Sequence, residues 1–312
     1  MSVQTYAGLT EQQKTFYDKT LLKRLLPKLV FMQHGQKKPV KKREGDTANY
    51  RRFNRLTAAT TPLVEGVTPV GSELNISEVT ATIQGYGDYV VLSDFIDMVG
   101  IDPVITETTE VLGEQAAETL DMVVRDVVAA GTNVYRVGGR ANRNEVTATD
   151  TLDGATMRRV RQVMARNNVK PVAKVGAYLA FPHPDCSYDI QGDSAWTNAN
   201  QYAGATRIFE GELGKMYNVR YIETTMAPIW TEEGAASIDV YGTLVIGRDA
   251  YGVPDVGGSS KPQTIIKPLG SAGVSDPLNQ RSSVGWKAYL ATVRLDELCI
   301  LRVESAASVG EL

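Results

Sequence analysis

Apolar and polar positions alternate in several distinct ways along this chain, and each way predicts an element. Between Pro103 and Ala130, Leu112, Ala116, Leu120, Val123 and Val127 fall at i, i+4, i+8, i+11 and i+15. That spacing makes one continuous helix face. Asp102 stands where an N-cap belongs and Pro103 at the first helical position, with Glu107 and Glu110 in the early turns. A side-chain acceptor, a residue lacking an N–H and early carboxylates all suit the positive, donor-rich start of a helix. Gly131 supplies the stop. Such a helix would measure about 42 Å at 1.5 Å per residue, well above the usual length. It reads as a strut. Its interior Gly113 costs about 1 kcal/mol and marks a close crossing. A second helix starts near Asp153 and runs to Asn168. Met157, Val160 and Met164 face one way there, and Arg158, Arg159, Arg161 and Arg166 make a basic side. A third, Glu11–Leu29, carries a stripe of Leu21, Leu22, Leu25 and Leu26, limited by Pro27 and Gly35.

Other stretches follow the strand period. Thr47–Leu56 and Asn75–Phe95 are rich in β-branched and aromatic residues. Lys174–Phe181 and Ile238–Gly247 are apolar enough for central strands. Tyr135–Asp150 reads as a hairpin turning at Gly138 and Gly139, and 197–228 as helix, turn, strand. A Gly/Pro/Ser-rich loop spans Gly252–Pro262, and two β-rich runs within Trp286–Val303 close the chain. This order argues an α+β fold in which elements from both ends share one sheet.

One stretch fits neither period. "RLTAATTPLVEGVTPVGSELNIS", Arg55–Ser77, is broken by Pro62, Gly66, Pro69 and Gly71 and lies between two strand-like runs. The whole reads as an extended two-stranded loop. A two-stranded ribbon is marginal alone in water. Leu63, Val64, Val67, Val70 and Leu74 would stay wet on a monomer, so they are candidate intersubunit contacts.

Charge sharpens this picture. The 312 residues are 43% apolar and 22% charged, which is globular and enough for a real core. The net charge of -3 hides an asymmetry. Residues 1–60 hold 13 Lys/Arg against 4 Asp/Glu, and the rest hold 20 against 32. A basic arm on an acidic body seeks an acidic surface, either nucleic acid or another copy of the chain. Lys37, Lys38, Lys41, Lys42 and Arg43 form its dense cluster, and Arg51, Arg52 and Arg55 follow as further contact candidates. Tyr50 and Phe53 interleave with these arginines as a single-strand stacking platform would require. No apolar run approaches the roughly 20 residues that span a bilayer, and no secretory h-region opens the chain. Cys186 and Cys299 form no disulfide framework or CxxC motif and read as buried thiols.

Catalytic motifs do not emerge. "GELGKM" at Gly211 has the wrong spacing for a phosphate loop, and "GYGDYV" at Gly85 lacks the third glycine of a dinucleotide loop. There is no GxSxG elbow. His34 and His183 are the only histidines. His183, Asp185 and Cys186 are residue types a metal or nucleophilic site uses, but Pro182 and Pro184 bracket the histidine. A strand-end turn is the expected role. No enzyme activity, cofactor or metal is expected.

Long motifs carry a resemblance. "TYAGLTEQQKTFYDKTLLKRLLPKLVF", "ATTPLVEGVTP", "YGDYVVLSD", "DPVITETTEVLGEQAAETLD", "GELGKMYNVRYIETTMAP" and "DPLNQRSSVGWK" resemble the major capsid proteins of tailed bacteriophages, within them the coliphage N4-like (Enquatrovirus-like) family. The resemblance implies the HK97 fold. It implies an N-arm at 1–43, an E-loop at 44–100, a P-domain with its spine helix at 101–169, an A-domain at 170–285, and a return to the P-domain sheet with a tail at 286–312. Nothing precedes the arm, so no fused scaffolding segment is expected. The implied function is a shell subunit: hexamers and pentamers close an icosahedral head around double-stranded DNA. The virion is the implied location, and the host bacterial cytoplasm the place of assembly. The implied partners are further copies of the chain, separate scaffolding, portal and decoration proteins, and packaged DNA contacted non-specifically, with no membrane. The alternative is a non-specific nucleic-acid-binding protein that uses the basic arm.

Overall fold

The computed structural model describes residues 30–40, 45–63, 65–68, 70–99, 104–193, 196, 212–256, 261–271, 273 and 276–309. The expected helix Glu11–Leu29, the caps Asp102 and Pro103, and the 197–211 part of the expected helix–turn–strand unit lie outside these. The described residues open with α1 (Phe31–His34) and β1 (Pro39–Val40), then the long strands β2 (Thr47–Phe53), β3 (Ile76–Thr82) and β4 (Gln84–Ser93). Helix α2 (Asp94–Val99) leads to α3 (Val104–Ala129). Next come β5 (Val134–Arg136), α4 (Gly154–Arg166), β6 (Tyr178–Phe181), α5 (Pro184–Gly192), β7 (Glu212–Met216), β8 (Val219–Ile222), β9 (Ile229–Trp230) and β10 (Val240–Ile246). The last third holds β11 (Tyr251–Gly252), β12 (Asp255–Val256), β13 (Gln263–Lys267), β14 (Arg281–Leu290), β15 (Val293–Arg294) and β16 (Ile300–Ser305).

The strut helix forms as its apolar period predicts, with a rotated face. Leu112, Ala116 and Leu120 are buried, but the line continues through Val124 and Val128, while Val123 and Val127 are half-buried. The buried sector is wide because α3 has neighbours on two sides. It packs on β4 and β14 on one flank and on α1 and β10 on the other. Gly113, Ala116 and Ala117 are buried in the middle of this face. Gln115 ties helix to sheet: Trp286 Nε1 donates to its Oε1 at 3.2 Å, and its Nε2 donates to Asp88 at 2.7 Å. At the C-terminus Arg294 Nη1 donates to the Val127 carbonyl at 2.8 Å, and Arg302 reaches the Ala129 carbonyl. Cations there meet unpaired carbonyls and the negative end of the dipole.

Elements from both ends do share a sheet. β4 pairs antiparallel with β14 from Gln84↔Leu290 to Ser93↔Arg281, and β13 completes a three-stranded sheet ordered β13-β14-β4. The larger sheet runs β5-β16-β10-β6-β8-β7, with β9 beside β10. Every residue of β6 and β10 is buried, as expected for central strands. On one face Leu179, Phe181, Leu244, Ile246 and Ile300 join the α3 core. On the other, Tyr178, Ala180, Val245, Leu301 and Val303 meet Met157, Val160 and Met164 of α4 and Cys186 and Ile190 of α5. The chain is thus two layered bodies that share α3 as a common support.

Two expectations fail for one reason, which is non-local pairing. Tyr135–Asp150 is not a hairpin: β5 pairs parallel with β16 at Arg302↔Val134. Gly138 and Gly139, at φ 73° and 71°, turn the chain into a short 3-10 segment, and Asp150 gathers Arg140 at 2.9 Å and the Thr147 N–H at 2.8 Å. Asn75–Phe95 is not one strand: it breaks at Ile83, so β3 pairs with β2 and β4 with β14. The closing runs enter two different sheets, β14 in one and β16 in the other.

Two carboxylates are fixed inside. Glu304 is fully buried and ion-paired to Arg136 at 2.8 Å, Arg143 at 2.8 Å and Arg302 at 3.0 Å. The Arg143 guanidinium lies 3.7 Å from the Trp230 ring centre, and that ring covers Gly242 so closely that a Cβ there would meet it at 2.7 Å. These guanidinium partners hold the Glu304 carboxyl below its ordinary range despite the opposing effect of burial. Asp121, on α3, caps α1: its Oδ1 accepts from Phe31 N at 2.8 Å and Met32 N at 3.3 Å. Among the described residues its Oδ2 is buried without a hydrogen-bond partner. Burial raises this carboxyl from 3.8 to about 6, against the backbone N–H groups that favour the charged form. A raised carboxyl stabilises the fold at low pH, and that contribution is lost as pH rises through about 6. Between pH 7.5 and pH 4 the wild-type subunit should therefore gain about 2–3 kcal/mol over Asp121→Asn. Urea unfolding of both proteins across that range checks this, and parallel pH profiles would refute it.

Candidate assembly interface

The expected extended loop is present, and its root explains how it stands out. Strands β2 and β3 pair from Thr47↔Thr82 to Phe53↔Ile76. At the root Ala48, Tyr50 and Ala81 are buried against Val40 and Ala291. Lys38 Nζ donates to the Asn49 carbonyl and lies 5.5 Å from the Tyr50 ring centre. Arg51 pairs across the ribbon with Glu78 at 2.8 Å, and Arg52 with Asp296. Past this point the inward-facing pattern stops. Asn54 N donates to the Asn75 carbonyl at 2.9 Å and Ser77 Oγ to Asn54 Oδ1 at 2.7 Å. The chain then opens into a loop whose described residues are all exposed. Leu63 is 79% and Val70 99% exposed, and Val67 and Leu74 are exposed with them. From Leu56 to Ile83 there is no Lys or Arg, while Glu65, Glu73 and Glu78 are present.

The predicted contact residues are therefore brought together in part. Leu63, Val67, Val70 and Leu74 share the loop. Lys38, Arg51 and Arg52 gather at its root, each engaged within the chain. Lys37 and Arg55 are exposed. Lys41, Lys42, Arg43 and Val64 lie outside the described residues. Tyr50 does not serve as a stacking platform. Its ring is buried, burial pushes its hydroxyl up to about 12, and its O–H donates to the Gln36 carbonyl at 3.3 Å.

A second surface had no clear signal in the sequence. The outward face of β13-β14-β4 holds a trough of about 700 Å³. Register places Tyr89 opposite Gly285 and Tyr289 opposite Gly85, so each ring covers a bare stretch of backbone. Lys267 and Lys287 stand on the same face. Only pairing between residues almost two hundred positions apart creates this trough. Glu107, Glu110, Glu114 and Glu118 recur at helical spacing along α3; Glu107 and Glu118 are exposed, and Glu110 and Glu114 are half-buried.

The suspected chemical cluster is structural. His183 is the N-cap of α5, its Nδ1 accepting from Asp185 N at 3.4 Å, with Pro184 at the first helical position. Cys186 is fully buried, and burial pushes its thiol up to about 12, so no thiolate forms near neutrality. Burial likewise holds His34 down to about 4. No group of three metal-ligating side chains occurs among the described residues. No helix among them is long and apolar enough to cross a membrane.

This architecture, a long helix supporting two sheets with a projecting ribbon, is that of bacteriophage capsid shells with the HK97 type of fold. The capsid protein of cyanophage Pam1 superposes with a TM-score of 0.64 at 17% identity, covering 86% of each chain. That of cyanophage P-SCSP1u gives 0.66 at 15% identity over 90% of this chain and 89% of that one. The capsid of Ralstonia phage GP4 gives 0.66 at 14% identity over 88% of both. No curated protein matches the sequence. The phage capsid protein family matches residues 8–238, and the chain belongs to that family. It is a structural component of the virion, the major capsid protein of a phage head shell and not an enzyme.

Replacing His183 and Cys186 together by Ala should leave shell assembly intact and lower subunit stability by about 1–3 kcal/mol through lost capping and packing. Electron microscopy of the particles and thermal unfolding of the subunit check this. A metal bound stoichiometrically by wild type and lost in the variant would refute the structural role.

Proposed function

We propose that copies of this chain form the hexamers and pentamers of an icosahedral head that encloses double-stranded DNA. The head assembles in the cytoplasm of a bacterial host, with separate scaffolding, portal and decoration proteins, and belongs to the coliphage N4-like branch of capsids. Residues 1–43 serve as N-arm, 44–100 as E-loop, 101–169 as P-domain, 170–285 as A-domain, and 286–312 as the return to the P-domain sheet and tail. The observation that carries this reading is the exposed apolar loop on a rigid root. A monomer gains nothing by holding Leu63, Val67, Val70 and Leu74 in water. Laid over a neighbour's long helix, N-arm and sheet face, they are covered. At roughly 25 cal/mol per Å², a few hundred Å² would give several kcal/mol per contact before ordering costs. The loop's unrelieved negative charge also suits the lysines of the trough. Thermolysin, which cuts before Leu and Val, should cleave free subunits between Thr57 and Gly71 and leave the same bonds intact in shells. Equal cleavage rates in both forms would sink the clasp.

The basic arm is assigned to acidic surface of neighbouring subunits rather than to DNA. The split of charge between residues 1–60 and the body supports this. The root itself must be spared in any test, because Phe31 is buried against Phe181 at 5.0 Å between ring centres and Val40 lies in the ribbon's core. Deleting residues 1–29 should give folded subunits that do not close into shells, as judged by circular dichroism and sedimentation. Normal shells that merely retain less DNA would make the arm a nucleic-acid element instead.

A further inference from the structure

We propose that the arginine face of α4, continued by Lys170 and Arg248, is the surface on which this coat protein meets the phosphate backbone of enclosed duplex DNA. This rests on the reading that the shell encloses DNA. Helix α4 buries Met157, Val160 and Met164 and exposes Arg158, Arg159, Arg161 and Arg166. Residues 154–166 contain no Asp or Glu. The nearest carboxylate in sequence, Asp153, is committed to the Thr156 N–H at 2.7 Å as the N-cap. No ion pair engages any of the four arginines among the described residues. Arg159 donates to Gln162 at 2.6 Å. Arg158 and Arg161 stand one turn apart, a like-charge spacing that costs an isolated helix a few tenths of a kcal/mol. From residue 61 onward acids outnumber bases 32 to 20, so a helix face with four bases and no acid stands against the composition around it.

The basic surface continues past the helix. Arg248 N donates to the Lys170 carbonyl at 2.8 Å, and both side chains are exposed. They line a cleft of about 640 Å³ together with Arg51 and Arg52 of the ribbon root. Those two and Arg248 have acidic partners in Glu78, Asp296 and Asp249. The α4 arginines have none and are the part open to an external anion.

The composition of the face distinguishes among polyanions. Protein interfaces concentrate their energy in buried aromatic and apolar anchors. Between the arginines α4 exposes Ala155, Gln162 and Ala165, which offer no anchor. Contact with a phosphate backbone requires charge and little else. Bases cannot stack here either, because Tyr50, the aromatic residue of the cleft, is buried. Arg158 to Arg166 spans about 12 Å along the helix axis, close to the width of the duplex major groove, about 12 Å. The arginines can thus reach phosphates on both edges of one groove.

The test uses purified full-length subunits and a mixed-sequence duplex of about 30 base pairs, with affinity measured against NaCl concentration. Replacing Arg158, Arg161 and Arg166 by Gln, which keeps helix propensity, should flatten the log–log salt slope by about 2–3. The Arg158→Lys, Arg161→Lys, Arg166→Lys variant should keep the slope. Single Gln replacements, each lowering it by about 1, carry the test if the triple variant does not fold. A slope unchanged by Gln, in wild-type protein that does bind DNA, overturns the assignment of α4 alone. Gln variants that bind DNA like wild type but fail to close shells make the face a subunit interface and overturn it too. Wild-type shells that hold no DNA would overturn the underlying reading instead.

Discussion

Burial of the inner face of α3 is the constraint on which the other parts depend. The helix gives one flank to β4 and β14 and the other to β10 and α1, so a single apolar sector holds both sheets and the root of the N-terminal arm. Its buried middle is small, at Gly113, Ala116 and Ala117. Its polar contacts are specific. Gln115 bridges Trp286 and Asp88, Asp121 caps α1, and arginines close the C-terminal carbonyls. Close packing of this kind transmits strain rather than absorbing it, and the ribbon is anchored where Ala48, Tyr50 and Ala81 are buried with Val40 and Ala291.

That rigidity gives the exposed loop its meaning. A ribbon of two strands has no second layer, and its apolar side chains stay in water unless another chain covers them. The root is built to be stable alone: Ala48, Tyr50 and Ala81 are buried, and Arg51 and Arg52 are paired. The tip is not. One subunit thus carries both a finished fold and an unfinished surface, and a repeating shell is an arrangement in which every copy can complete its neighbour.

Charge is partitioned in the same way. Where carboxylates and guanidiniums are buried they are matched, as around Glu304, because an unpaired charge in the interior costs several kcal/mol. Where they are exposed they are segregated into acid on the loop tip and arginine on α4. Exposed pairs add little to stability, so this segregation does little for the fold.

The sequence by itself determined what depends on local spacing. The strut helix, the amphipathic α4 with its Asp153 cap, the buried central strands β6 and β10, and the long loop between two strand-like runs follow from period, caps and breakers within a few residues. The exposure of Leu63, Val67, Val70 and Leu74 was legible too, since nothing near them in sequence could cover them. Tertiary structure alone decided which strands meet. The break at Ile83 sends β3 and β4 to different sheets, the Gly138–Gly139 segment becomes a turn rather than a hairpin, and β5 finds its partner at the other end of the chain. It also decided the rotation of α3 toward Val124 and Val128, the burial of Tyr50, and the glycine–tyrosine trough. Each of these rests on contacts between residues far apart in the chain, and local propensity carries no information about such partners.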